Sequence, residues 1–313
     1  MGELSPEIGK KLENFGSILF ENLGWELITQ NLSVNCTRST HKSPTSKSGD
    51  KKTHGIDLLK GFYNPFTTQK ESVIISCKNH KWKDFIPSNL NQWIEELLNT
   101  IECTSASPVT APYIAETTLM TGILLFNSSD NLYDVNRAQT TLSQVIVPKR
   151  RAPIMLYIAD TGMLEKWFAL NKEISKIKDT YANHNFGVVY PSVGGSHWDR
   201  KSLITPSCLF SDYIFTVYTK TEEHKDGSNK VDVKAVFCFD SVSEDSMLYL
   251  LDMMNSLQLE ARSERKQEIH IYFFPEDSVD NKRINDFFAK TISKNKPDFQ
   301  IKFLDNRRLS PVV

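Results

Sequence analysis

The sequence predicts an α/β protein made of two units, and three observations carry that prediction. Helix-spaced and strand-like apolar runs alternate in the order α-β-β-β-α-β, then add one more strand and helix, through the first half of the chain. The polar stretch Tyr181-Ala182-Asn183-His184-Asn185 then interrupts the pattern. A second alternation of strands and helices follows it. We therefore expect a mixed sheet flanked by helices over residues 1–184 and a smaller α/β domain over residues 185–313.

The elements follow from local chemistry. Ser5-Pro6-Glu7 reads as a helix start, and Leu12, Phe15, Ile18, Leu19 and Leu23 repeat at helical spacing until Gly24. Trp25 to Val34 reads as a strand. Residues 37–53 form a Ser/Thr/Lys-rich loop with five basic residues (Arg38, Lys42, Lys47, Lys51, Lys52) against the single acid Asp50. The run HGIDLLKGF is a strand that turns at Asn64-Pro65, and SVIISCK is a buried strand. Leu90, Trp93, Ile94, Leu97, Leu98 and Ile101 share one face of a helix over residues 88–101. Thr121 to Phe126 and Ala152 to Ala159 are further strands, and a helix through Leu164, Trp167, Phe168 and Leu170 follows. The second unit has expected strands at 186–190, 213–218, 231–239, 269–274 and 299–303, with helices at 244–257 and 279–292.

Composition excludes several classes. The formal net charge is -1, so no global basic field draws nucleic acid, and any such partner needs a local patch. The five cysteines contain no C-x-x-C pair, which argues against a disulfide framework and against a cysteine zinc site, and fits a reducing compartment. The polar N-terminus is no signal peptide, Pro6 denies a myristoyl signal, and no apolar run is long enough to span a bilayer. The expected location is the cytoplasm. The glycines at Gly194-Gly195 match neither a P-loop nor a dinucleotide fingerprint, and the second unit carries no catalytic motif. Its expected work is recognition or assembly.

The chemistry concentrates in the first unit. Asp57 lies on one strand and Lys78 ends the next, so a hairpin brings them to one end of a sheet. Glu13, on the preceding helix, could approach the same spot. Carboxylates beside a lysine suit phosphodiester cleavage: the oxygens hold Mg²⁺ or Mn²⁺, and the ammonium orients water or neutralises phosphate charge. With Glu13, Gly55-Ile56-Asp57, Ser76-Cys77-Lys78 and the later APIMLYIADTGMLEKW segment, the chain resembles the PD-(D/E)XK nuclease superfamily, and within it the Mrr-like restriction endonucleases, over residues 5–180.

That resemblance implies a metal held by Asp57, Glu13 and the backbone carbonyl of Cys77, with Lys78 acting on the attacking water. Ser76 departs from it, standing where the family carries an acid or glutamine. Either Gln92, Glu95 or Glu96 supplies the missing group, or the domain binds nucleic acid without cutting it. Lys51, Lys52, His80, Lys81 and Lys83 are candidate nucleic-acid contacts. Trp82 among them is open to two readings, base stacking or packing. Substrate DNA is expected, RNA is the alternative, and the further partners to expect are a second copy of the chain or a companion defence protein. Restriction or another defence against phage is the context the resemblance implies.

Overall fold

The computed structural model describes residues 6–42, 49, 51–181, 186–191, 198–224, 227–257, 266–275, 278–291 and 298–305. The Ser5 N-cap and Lys47 lie outside the described residues.

The first unit runs through Leu164. Helix α1 (Pro6–Asn22) precedes β1 (Glu26–Asn35), β2 (Thr53–Asn64) and β3 (Gln69–His80), and α2 (Pro87–Ala106) and the short α3 (Ala111–Ile114) lead to β4 (Thr118–Ser128). Helix α4 (Val135–Ser143) and β5 (Met155–Ala159) complete it. The strands form one five-stranded sheet in the order β1-β2-β3-β4-β5. Its first two pairings are antiparallel, and β3-β4 and β4-β5 are parallel. The sheet is mixed and flanked by helices, as expected.

The period-two pleat explains how helices can cover both faces. Leu58 lies at Gly16 of α1, and Lys60 reaches Ser17 of the same helix. Leu59 and Ile74 instead join Leu90, Trp93, Ile94, Leu97 and Leu98 of α2 in one apolar cluster. On the α1 side Trp25 is sandwiched between Phe20 and Phe62, with centroids 4.6 and 5.1 Å away. Lys60 is fully buried there and donates to Glu21 at 2.7 Å. Burial pushes this lysine down, and the Glu21 pairing opposes that shift.

Gly122 of β4 shows how closely α2 lies on the sheet. A Cβ at this position would sit 2.8 Å from Ile101 Cδ1 and 3.1 Å from Leu97. Gly122→Val should therefore cost about 1–3 kcal/mol by overpacking, read as a lowered denaturation midpoint. An unchanged midpoint would show that α2 is less tightly seated.

The helix α5 (Thr161–Thr180) carries the division between units, since the second unit begins at Glu165. The division thus falls ahead of position 184, where the change in composition places it. An uninterrupted amphipathic helix gives no compositional break at the point where its packing partners change.

The second unit contains β6 (Gly187–Pro191), β7 (Trp198–Lys201), α6 (Pro206–Leu209), β8 (Tyr213–His224), β9 (Gly227–Cys238), α7 (Glu244–Ser256), β10 (Gln267–Phe273), α8 (Ser278–Thr291) and β11 (Asp298–Phe303). Its six strands are ordered β11-β10-β9-β8-β6-β7. Met247, Leu250 and Met254 of α7 pack on Val236, Ile269 and Ile271, whereas Leu248 of the same helix is exposed. Ser243 starts that helix with a capping box closed by Ser246.

A buried polar chain crosses the second sheet. His270 faces Tyr218 Oη at 2.7 Å, Glu268 at 2.9 Å and Lys302 Nζ at 3.1 Å. Burial first, and then the Lys302 charge, push His270 down to about 4 despite Glu268. The unfolded chain, with an ordinary histidine near about 6.5, binds more protons between those values. Stability should therefore be full above about pH 6.5 and fall toward about pH 4. Thermal midpoints of the full chain across that window should show the decline, and His270→Gln should reduce its slope. An equal slope in the variant would assign the acid sensitivity elsewhere.

Candidate active site

Strands β2 and β3 pair regularly from Asn64↔Gln69 to Leu58↔Ile75, and the paired register stops there. Beyond that point Asp57 takes over with its side chain. Its Oδ2 accepts the Cys77 backbone N–H at 2.7 Å and the Ser76 hydroxyl at 3.3 Å. The sequence produces this locally. Ile56 packs into the α2 cluster, whereas Leu58, two residues on, lies against α1. The alternation therefore inverts around Asp57, where β2 leaves its pairing with β3 and re-aims a side chain while its register with β1 continues to Asn35↔Thr53. The short polar side chain of aspartate can replace the missing backbone partner.

Ser76 and Lys78 follow Ile74 at intervals of two, so all three face α2. Lys78 Nζ lies 3.7 Å from Glu96 Oε2 on that helix. Lys51 approaches the other Glu96 oxygen at 3.9 Å, and Gln92, one turn earlier, donates to it at 3.3 Å. Glu95 is exposed and lines a shallow cavity of about 530 Å³ with Glu96, Gln92, Asn91, Asn99 and Lys42. Of the three candidates for the missing acid, Glu96 is the one paired with the lysine. Its position on α2, 18 residues beyond Lys78 in the chain, kept it out of any short motif.

The remaining expected residues fall as follows. Glu13 is half-buried on α1, the helix that packs against β3 and β2. His80 is half-buried and stacks on Trp93, with centroids 5.1 Å apart. Lys52, Lys81 and Lys83 are exposed, and Lys51 is partly buried against Glu96. Trp82 is buried against Phe85, Phe126 and Tyr133, so it packs the core and offers no stacking face to a base.

Two features were not legible as sites in the sequence. The triplet Lys149-Arg150-Arg151 lines a depression of about 470 Å³ together with Arg38, Thr40 and Glu102. Arg150 approaches Glu102 at 3.8 Å, and its buried Nε and Nη2 have no hydrogen-bond partner among the described residues. His54 is fully buried beside His41, Cys36 and Cys103. Burial, with Lys51 and His41, pushes His54 down to about 4, so its ring is neutral near pH 7.

Chemically, the place where β2 and β3 cease to pair carries the Asp57 carboxylate and the Ser76 hydroxyl, with the Lys78 ammonium held by Glu96 on the face toward α2. No helix among the described residues is long and apolar enough to cross a membrane. No curated protein matches the chain. The model of the family described as the GAPS4 protein PD-(D/E)XK nuclease domain matches residues 1–162. That match spans α1 to β5, the elements that place Asp57 and Lys78, and the chain belongs to this PD-(D/E)XK nuclease family.

Proposed function

We propose that the protein is a divalent-metal-dependent endonuclease acting on DNA, in defence against foreign nucleic acid and akin to the Mrr-like branch of its superfamily. The carrying observation is the bond from the Cys77 N–H to Asp57 Oδ2 at 2.7 Å. It fixes a carboxylate at the peptide that precedes Lys78, where β2 and β3 stop pairing.

The donor set suits a hard cation. The Asp57 carboxylate, the Cys77 carbonyl and the Glu13 carboxylate are the groups that would hold Mg²⁺ or Mn²⁺, and all are oxygens. When bound, such an ion polarises the scissile phosphate and lowers the pKa of a coordinated water. Ser76 donates its hydroxyl to Asp57, so it orients the carboxylate and does not replace the acid at its position. Glu96 takes over part of that acid's work by holding Lys78. Lys78 then orients the attacking water and meets charge building on the phosphate. Lys52, Lys81 and Lys83 supply exposed positive charge for phosphates, and Lys51 and His80 shape the rim. The second unit contributes recognition or assembly, with a second copy or a companion protein as partner.

The test is direct. The purified full chain is incubated with plasmid, linear and single-stranded DNA and with RNA, under Mg²⁺, Mn²⁺ or EDTA. Metal-dependent internal cuts in DNA are expected. Cleavage of RNA alone would reassign the substrate. Metal-independent DNA binding without cleavage, alone and with any companion protein, would favour a second reading, a non-catalytic binding subunit, for which the serine at position 76 is the supporting observation.

A further inference from the structure

We propose that Cys36, His41, His54 and Cys103 form a structural zinc site. These four residues come from the end of β1, the following loop, the start of β2 and the second half of α2. Their ligand atoms all lie within 4.8 Å of one another. His41, His54 and Cys103 are buried and Cys36 is partly so.

Four of the six ligand–ligand distances have the dimensions of a tetrahedron around one small ion, and the other two lie within 4.8 Å. Zinc bonds of about 2.3 Å to sulfur and about 2.05 Å to nitrogen give edges of about 3.8 Å for S···S, about 3.6 Å for S···N and about 3.4 Å for N···N. The two sulfurs are 3.9 Å apart. His41 Nδ1 lies 3.5 Å from Cys36 Sγ and 3.4 Å from Cys103 Sγ. His41 Nδ1 and His54 Nε2 are 3.4 Å apart. Two imidazole nitrogens and two thiols turned toward one buried point make poor hydrogen bonds with each other, and a shared cation satisfies all four at once.

The surroundings match a metal site beyond the ligands. His41 presents its other nitrogen, Nε2, to Glu102 at 3.1 Å, the carboxylate–histidine arrangement that fixes a ligating tautomer. Arg38 and Arg150 hold Glu102 from outside, at 3.6 and 3.8 Å. Thr37 donates its backbone N–H to Cys103 Sγ at 3.4 Å and its hydroxyl at 3.6 Å, as suits a thiolate. Binding would release one proton from each cysteine, and two thiolates, two neutral imidazoles and Zn²⁺ make a complex of zero net charge. Four protein ligands leave no open position, so the site is structural and not catalytic.

Its place in the fold gives it work to do. The ion would tie both ends of the basic loop to α2. His54 stands three residues before Asp57, so the same tie would fix the start of the strand that carries the carboxylate. The proposal stands apart from the nuclease reading, because no ligand belongs to the Asp57 centre.

The experiment uses the full chain, purified without a polyhistidine tag and analysed for metal content. One zinc per chain is expected in the parent and in Asp57→Asn, and loss of most of it in Cys103→Ser and in His54→Gln. A second measurement does not depend on the variants folding. Protein stripped with a chelator and titrated with Co²⁺ should show the intense visible bands of a tetrahedral ion and a thiolate charge-transfer band, saturating at one ion per chain. Removing the metal should also lower the thermal midpoint. Octahedral, weak Co²⁺ spectra, an absence of zinc in the parent after growth with zinc, or a Cys36–Cys103 disulfide found by peptide mapping would each overturn the proposal.

Discussion

Asp57→Asn should leave a folded protein that cuts nucleic acid about a thousandfold more slowly, or worse. The amide keeps an oxygen that can accept the Cys77 N–H, so the local backbone should hold. What it loses is the negative charge for which a divalent ion is bound. Metal-assisted polarisation contributes several kcal/mol to a transition state, and each ~1.4 kcal/mol is tenfold in rate. Single-turnover cleavage at saturating Mn²⁺, with circular dichroism as the control for folding, reads the effect. Activity within tenfold of the parent would remove Asp57 from the chemistry.

Lys78→Ala should be nearly as severe, a loss of about a hundredfold to a thousandfold with little change in nucleic-acid affinity. Lys78→Arg should recover only a small part. A guanidinium is larger, planar and differently hydrated, so it cannot place one compact charge where the ammonium sits. Glu96→Gln isolates the helper role. It keeps the side-chain shape and removes the charge 3.7 Å from Lys78 Nζ, so it should cost less than removing Lys78 and should alter the pH profile of the rate. In the double variant Lys78→Ala with Glu96→Gln, the second change should add almost nothing, because the carboxylate acts through the lysine. Additive losses would mean that Glu96 works on the metal or substrate by itself.

The parts that were legible in the sequence and the parts that were not separate by physical cause. β2, β3 and α2 could be read because apolar periodicity is a property of adjacent residues: SVIISCK is a strand on its own evidence, and Trp93, Ile94, Leu97 and Leu98 mark a buried face unaided. Helix α4 could not, since its sequence VNRAQTTLS buries only Ala138 and Thr141 and is held by the Asp134 cap. That Asp57 and Lys78 lie on neighbouring strands was legible because a hairpin preserves order. The Glu96 contact depends on which face of α2 meets β3, a tertiary fact. The same reason hid the convergence of Cys36 and Cys103. Cysteines 67 positions apart have no spacing signature, so the sequence argument against a cysteine zinc site rested only on the absence of a local pair, and the packing of α2 against β1 brings their sulfurs within 3.9 Å.

The most direct measurement is a crystal of the full chain soaked in Mn²⁺, with an anomalous difference map. Peak density about 2.1 Å from the Asp57 carboxylate and from the Cys77 carbonyl oxygen, with Lys78 Nζ facing the same ion's water, is the predicted result. Saturating Mn²⁺ with no peak touching Asp57, or a peak whose ligands exclude it, would contradict the assignment of this strand opening as the nuclease centre.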